Sequence, residues 1–332
     1  MGDVAMVVPV IRAFINQHPN CRVTVVSKPF FKPLFAELSN VSFVTADVKK
    51  KHRGILGLFR LFRELKKKKI THIADFHDVL RSKVVRTLFR TTGVPVVSIN
   101  KGRSEKKALT RPKNKVFKPL KTSHQRYADV LDKLGFPTNL SNPNPIQRKP
   151  LSKKITAITG SKESLWIGIA PFAAFKGKIY PLHLMEKVVL SLASNGFQLL
   201  LFGGGPNEIK QLNAFEKKHD NVLNTAGKFS FQEEIQLISS LDLMISMDSG
   251  NAHLAAMQQV KTITLWGVTH PYAGFTPFNQ PDDYCLLSDL REYPKIPCSV
   301  YGNKMAEGYE KVMESISPES IVAKVLLVLN SK

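Results

Sequence analysis

The sequence is short of the residues that define several protein classes. Three cysteines in 332 residues, Cys21, Cys285 and Cys298, are too few and too scattered for a disulfide framework, which points to a reducing compartment. No run approaches the ~18 apolar residues needed to span a bilayer. The apolar stretch Val4–Ile11 has no basic region before it and is not a signal peptide, so cytoplasm is the expected location. Clustered metal ligands are also lacking: there is no D-x-D motif, Asp282 and Asp283 are adjacent in a Pro-flanked loop, and Cys285 and Cys298 have no clustered partners. "LLLFGGGPNE" (200–208 at its core) does not meet G-x-G-x-x-G, and no acidic residue ends a following strand, which argues against a nicotinamide cofactor. Internal repeats and low-complexity tracts are absent.

Acidic residues are scarce in one half only. Residues 1–150 carry 9 Asp and Glu against 31 Lys and Arg, whereas the remainder carries 17 of each. The whole net charge of +22 therefore sits in the first half. Such a division implies that the first half faces an anionic partner: nucleic acid, an acidic membrane surface or a polyanionic substrate.

What is present is alternation. In the first half, "CRVTVVS" (21–27), "VSFVTA" (41–46), "THIADF" (71–76) and "PVVSIN" (95–100) read as strands. Helical patterns lie between them, including "ILGLFRLFRELKKKK" (55–69), with apolar residues at i, i+3, i+4 spacing. Residues 101–122 read as a basic loop, followed by a helix over 123–135. "SNPNPIQRKPLSKK" (141–154), with three prolines and no apolar period, reads as a linker between domains at 1–140 and 155–332.

After the linker the alternation resumes. Strands are expected at 165–170, 197–203, 221–225, 242–247 and 261–267, and helices at 181–194, 207–219, 231–240 and 250–258. A last helix starts at "SPES", with Ser317 as cap and Pro318 at the first helical position. The fold class is thus α/β, with two Rossmann-like doubly wound domains. Ligands of such sheets bind beyond the strand C-terminal ends, so a cleft between the two domains is the expected site.

Three segments place chemistry there. In "LMISMDSGNAHLAAMQQVKTITLWGVTHP" (243–271), a strand runs into Asp248, Ser249, Gly250 and Asn251, and a helix carries His253 on its first turn. Backbone N–H groups at a helix start suit a phosphate. An isolated D-S-G equally makes an ordinary helix start capped by Asp248 or Ser249, and a lone histidine is commonly a packing residue. In "IAPFAAFKGKIYP", Lys176 and Lys178 stand on the loop after the first strand, as phosphate partners or as a solvated basic loop. Glu208 begins a helix, where it either accepts from a ribose or merely complements the helix dipole.

These segments, with "MGDVAMVVPVIRAF" at the start and "KIYP", resemble the ADP-heptose:lipopolysaccharide heptosyltransferase family, glycosyltransferase family nine. The order and spacing match along nearly the whole chain. The resemblance implies a GT-B fold, with the acceptor on the first domain and the nucleotide sugar on the second. It implies inverting transfer without a metal or a cofactor. By position, Asp3 matches the general base, Lys178 the donor-phosphate lysine and Asp248 the donor-sugar aspartate. Ser249, Gly250 and His253 adjoin the phosphate, Glu208 matches the ribose contact, and Phe229 in "GKFSFQEE" either lies against the adenine or is a core aromatic.

The resemblance also supplies the basic half with a partner, because the inner-core acceptor is an anionic glycolipid met at the cytoplasmic face of the inner membrane. Arg53, Arg81, Arg103, His124 and Arg126 lie on segments expected near the cleft. Lys66–Lys69 read as a solvated or membrane-facing run. No nucleic acid is expected, although a basic half keeps nucleic-acid binding as the alternative. Residues 1–3 read as a loop, with Asp3 placed to cap a helix from Val4 to about Phe14. In the family a strand precedes that loop, so the central strand of the first sheet is missing here. A late start, a sheet folded with a gap, or an inactive paralogue are the readings that this leaves. A central strand buries several side chains at about 1.5–3 kcal/mol each.

Overall fold

The computed structural model describes residues 1–330, which fall into two compact units. The first holds Asp3–Arg103 and Lys121–Asn144. The second holds Ser104–Leu120 and the chain from Pro145 onward.

The first unit opens with helix α1 (Gly2–Gln17), whose Ala5, Val8, Val10, Ile11, Phe14 and Ile15 are buried. The helix begins before Asp3, so this aspartate does not cap it. Asp3 lies exposed on the first turn, and no side chain caps the helix. Strands β1 (Val23–Ser27) and β2 (Val41–Thr45) pair in parallel. Helix α2 (Gly54–Lys66) leads to β3 (Ile73–Asp75), and α3 (Leu80–Arg90) leads to β4 (Val96–Ser98), which pairs in parallel with β3. Leu61, Phe62 and Leu65 of α2 pack with Phe89 of α3 against Val44, Ile73 and Val96. The buried residues of α2 fall at the spacing of an amphipathic helix.

The chain then departs from the sequence reading. Residues 101–122 are not simply a loop: α4 (Arg103–Thr110) forms within them, with Leu109 fully buried. From Ser104 to Leu120 this segment belongs to the second unit. Helix α5 (Ser123–Lys133) returns to the first unit, capped by the Thr122 hydroxyl, which accepts from the Gln125 N–H at 3.2 Å.

The second unit continues with α6 (Lys153–Thr159), β5 (Trp166–Ala170), α7 (Leu182–Ser194), β6 (Gln198–Leu201) and α8 (Pro206–Glu216). It then forms β7 (Val222–Asn224), α9 (Phe231–Ser239), β8 (Leu243–Met247), α10 (Gly250–Met257), β9 (Lys261–Trp266), β10 (Cys285–Leu287) and α11 (Pro318–Asn330). The six strands form one parallel sheet in the order β10-β9-β8-β5-β6-β7. Every residue of β5 and β8 is buried, as expected for central strands covered on both faces. Ile167, Ile169, Leu243 and Ile245 meet Val188, Val189 and Leu192 of α7 and Val325 of α11 in the main core.

The two sheets differ at their centres. In the second unit, β5 joins β6–β7 on one side to β8–β9 on the other. Among the described residues of the first unit no strand plays that part, and β1–β2 and β3–β4 remain separate pairs. Among the described residues no helix is long and apolar enough to cross a membrane.

Candidate donor site in the second unit

The fully buried strand β8 delivers Asp248 to the C-terminal edge of the sheet, where its side chain is largely buried. The turn after β5 supplies Lys178, whose Nζ donates to Asp248 Oδ2 at 3.2 Å. The Thr269 hydroxyl, from the loop after β9, donates to the same oxygen at 2.9 Å. Three loops from adjacent strands therefore converge on one carboxylate.

Lys178 is held on its other side by Gly302. A Cβ there would stand 2.7 Å from both Cγ and Cδ of Lys178, so only glycine admits the lysine stem at that distance. The next residues are fixed by burial: the Tyr180 hydroxyl donates to Ile316 O at 2.7 Å, and its N–H donates to Met247 Sδ. Burial pushes the Tyr180 phenol well above its ordinary range. "KIYP" is thus an anchor that aims Lys178, while Lys176 is exposed.

Ser249 is the N-cap residue of α10 by backbone conformation, yet it gives the helix no side-chain hydrogen bond. Its hydroxyl instead meets the Ser246 hydroxyl at 3.1 Å. The helix start therefore lacks a side-chain cap, the condition under which terminal N–H groups attract an anion. His253 sits one turn in, 7% exposed, and its Nδ1 is buried without a partner. Burial and the nearby Lys178 cation push this imidazole down to about 4, so it is neutral at neutral pH.

Glu208 accepts from the Gly204 N–H at 2.7 Å, folding the glycine turn after β6 over the start of α8. Phe229 is half-buried beneath Lys154, whose Nζ is 5.9 Å from the ring centroid. The loop that carries Thr269 is braced by residues 104–120. Phe117 packs on the rings of His270 and Tyr272 at 5.0 and 4.9 Å, Leu120 N donates to Tyr272 O, and Lys106 lies 4.0 Å over the Phe275 ring. Lys115 donates to the carbonyls of Lys295 and Pro297.

The first unit treats its sequence-predicted cations unequally. Arg53 and Arg81 are exposed at the starts of α2 and α3, and Arg103 is exposed with Nη2 3.6 Å from Asp78 Oδ2. His124 and Arg126 are buried. Arg126 donates to the carbonyls of Asn100 and Lys121, clasping the two ends of the segment between β4 and α5. Sequence reasoning missed a network at the end of β3: Arg86 donates at 3.0 Å to both Asp75 and Asp78, and Asp75 also accepts the N–H groups of His77 and Asp78. It also missed Thr269 and Gly302. The adjoining "GVTHP" was the available signal for Thr269, whereas nothing local marks Gly302.

Open parallel α/β sheets take their ligands beyond the C-terminal ends of the strands, which is where this lysine, aspartate and uncapped helix start meet. The chain belongs to glycosyltransferase family 9 (heptosyltransferase), whose sequence profile matches residues 58–305, and it is a glycosyltransferase of GT-B type. It is 24% identical over 332 residues to lipooligosaccharide heptosyltransferase 2 of Campylobacter jejuni, covering 98% of this chain and 95% of that one. The crystal structure of the family 9 glycosyltransferase from Veillonella parvula superposes with a TM-score of 0.76 at 18% identity, over 100% of this chain and 95% of that one. Escherichia coli ADP-heptose lps heptosyltransferase II superposes with a TM-score of 0.66 at 18% identity, over 98% and 94%.

Proposed function

We propose that the protein moves a heptose from ADP-heptose to an anionic inner-core acceptor of lipopolysaccharide, with inversion at the anomeric carbon. The observation that carries this reading is the meeting of Lys178, Asp248 and Thr269 beside the uncapped start of α10, with the unpartnered His253 behind it. The donor's ADP group is the class of ligand named for the Escherichia coli relative of similar fold.

In this reaction the acceptor oxygen bonds to the anomeric carbon as the bond to the ADP oxygen breaks, and the acceptor proton passes to Asp3. Asp3 is exposed on the first turn of α1, where a carboxylate is free to serve as general base. Negative charge collects on the departing diphosphate. Lys178 and the N–H groups opening α10 stabilise it as fixed charges and dipoles, so the reading needs no divalent ion. Asp248 keeps Lys178 in place and faces the sugar, and Glu208 and Phe229 flank the nucleoside. Exposed arginines of the first unit, Arg53, Arg81 and Arg103, meet the acceptor's carboxylates and phosphates. The same cationic half holds the protein reversibly at the cytoplasmic face of the inner membrane, each basic residue near an anionic surface contributing about 1 kcal/mol.

The test is a mass-spectrometric transfer assay on a panel of nucleotide sugars with a deacylated inner-core acceptor, run with and without chelator. ADP-heptose is expected to be consumed, with a mass gain of one heptose on the acceptor and no loss on chelation. Consumption of another nucleotide sugar in preference would replace the donor assignment, and dependence on added metal would replace the mechanism.

A further inference from the structure

The outward face of α2 is unlike any other helix face in the first unit. Ile55 and Leu56 in its first turn are 76% and 86% exposed, and Phe59 one turn on is 46% exposed. The helix spends its other apolar residues, Leu58, Leu61, Phe62 and Leu65, on the core, so the exposed three are surplus to folding. Beyond them the same outward face becomes cationic, with Arg60, Arg63, Lys66 and Lys67 all exposed.

The preceding loop enlarges this surface and makes it rigid. His52 is buried beneath it: its N–H donates to Asp47 O at 2.7 Å, its Nδ1 accepts from the Asp47 N–H at 3.1 Å, and its Nε2 lies 3.3 Å from Glu64 of α2. Gly57 permits the fold-back, since a Cβ there would stand 2.3 Å from the His52 carbonyl carbon. Lys49, Lys50, Lys51 and Arg53 are thereby presented beside the exposed apolar turn. Residues 49–69 hold ten Lys and Arg against one acid, Glu64, which pairs with Lys51 at 2.8 Å. No acidic residue occupies the first turn of α2, so its positive dipole end is uncompensated.

We propose that this face, the 49–53 loop with the first turns of α2, is where the protein docks on an anionic lipid bilayer. Ile55, Leu56 and Phe59 enter the headgroup–acyl boundary, while the surrounding lysines and arginines contact lipid phosphates. Exposed aliphatic and aromatic side chains ringed by cations match an interface that is apolar within and anionic at its rim. A nucleic-acid surface offers no apolar layer for Ile55 and Leu56, and a second copy of this face would bring like charges together. The inference deepens the peripheral membrane contact proposed above and rests on it.

The experiment uses the full chain with vesicles of phosphatidylcholine alone or mixed with phosphatidylglycerol. Flotation is expected with the mixed vesicles only, weakening as salt is raised. Ile55→Ser with Leu56→Ser is expected to weaken vesicle binding by about tenfold or more, as lost burial of two aliphatic side chains requires. ADP binding and the circular dichroism spectrum should stay unchanged. In a separate variant, Leu56→Trp should shift its emission to the blue on mixed vesicles, against a steady background from the buried Trp166 and Trp266. Equal flotation of wild type and the double serine variant, with no emission shift, overturns this docking face while leaving the membrane contact standing. No flotation of wild type on mixed vesicles overturns both. A dimer in sedimentation velocity that the double serine variant loses, without vesicle binding, assigns the face to a second copy and likewise overturns the proposal.

Discussion

Lys178 and Asp248 stand 70 residues apart in the sequence and meet at 3.2 Å, both nearly sealed from solvent. The pair links the turn after β5 to the end of β8, the two central strands of the second sheet. A charge pair in such a place is structurally costly to break and chemically useful only if one partner also serves a ligand.

The two roles separate in a double variant. Lys178→Met alone strands Asp248 with Thr269 and should cost about 3–5 kcal/mol of stability. Adding Asp248→Asn should restore much of that loss in urea titration. On the proposed mechanism transfer should stay depressed by about 10²–10³ in both variants, because the leaving diphosphate would have lost its cation. Recovery of transfer alongside stability would show the pair to be purely structural.

Asp3 offers the cleaner catalytic test, since it is exposed and caps nothing. Asp3→Asn should leave stability within about 0.5 kcal/mol. Turnover should fall by about 10²–10⁴, the usual worth of a general base. Near-normal single-turnover rates would remove Asp3 from the mechanism.

Thr269→Val keeps the shape and deletes the O–H donor to Asp248. A loss of about 1–3 kcal/mol in stability is expected. ADP affinity, read by calorimetry, should weaken with it, and Thr269→Ser should restore both. A valine variant that binds ADP as tightly as wild type would make this hydroxyl a bystander.

Glu234 in α9 supplies the pH test. Burial pushes its carboxyl up from 4.5 to about 7. The folded chain therefore holds a proton between these values that the unfolded chain has lost. Stability contributed by this group is complete below the lower value and disappears as pH rises through the upper one. Glu234→Gln should accordingly stabilise the protein by about 2 kcal/mol near pH 8 and change little near pH 4.5. Denaturant midpoints at the two pH values measure it, and an equal effect at both would contradict the assigned cause.

How much of this was legible beforehand differs between the units. Strands β5 and β8 are almost wholly apolar because both faces are covered, and β9 is β-branched through "KTIT", so their sequence limits and observed limits agree within a residue or so. Helix α4 was hidden because its outward residues are mostly charged, and what secures it is distant: Leu109 buried and Lys106 over Phe275. Lys178 and Asp248 were visible through their neighbours, "KIYP" and "DSG". Their partners Thr269 and Gly302 arrive on later loops and have no local signature of contact. His124 and Arg126 read from the sequence as acceptor-facing groups near the cleft, since charge in a sequence carries no record of burial; both are buried, and Arg126 clasps two backbone carbonyls.

Residues 104–120 carry a consequence for anyone who cuts this polypeptide. A protease acting once in the proline-rich stretch around 145–150 leaves those residues on the amino-terminal fragment, while Leu109 stays buried in the second unit and Phe117 and Lys115 keep their contacts with His270 and Lys295 of the carboxy-terminal one. Such a nick should give two bands under denaturing electrophoresis and a single unretarded peak on gel filtration, the fragments clipped together as a tongue in a buckle.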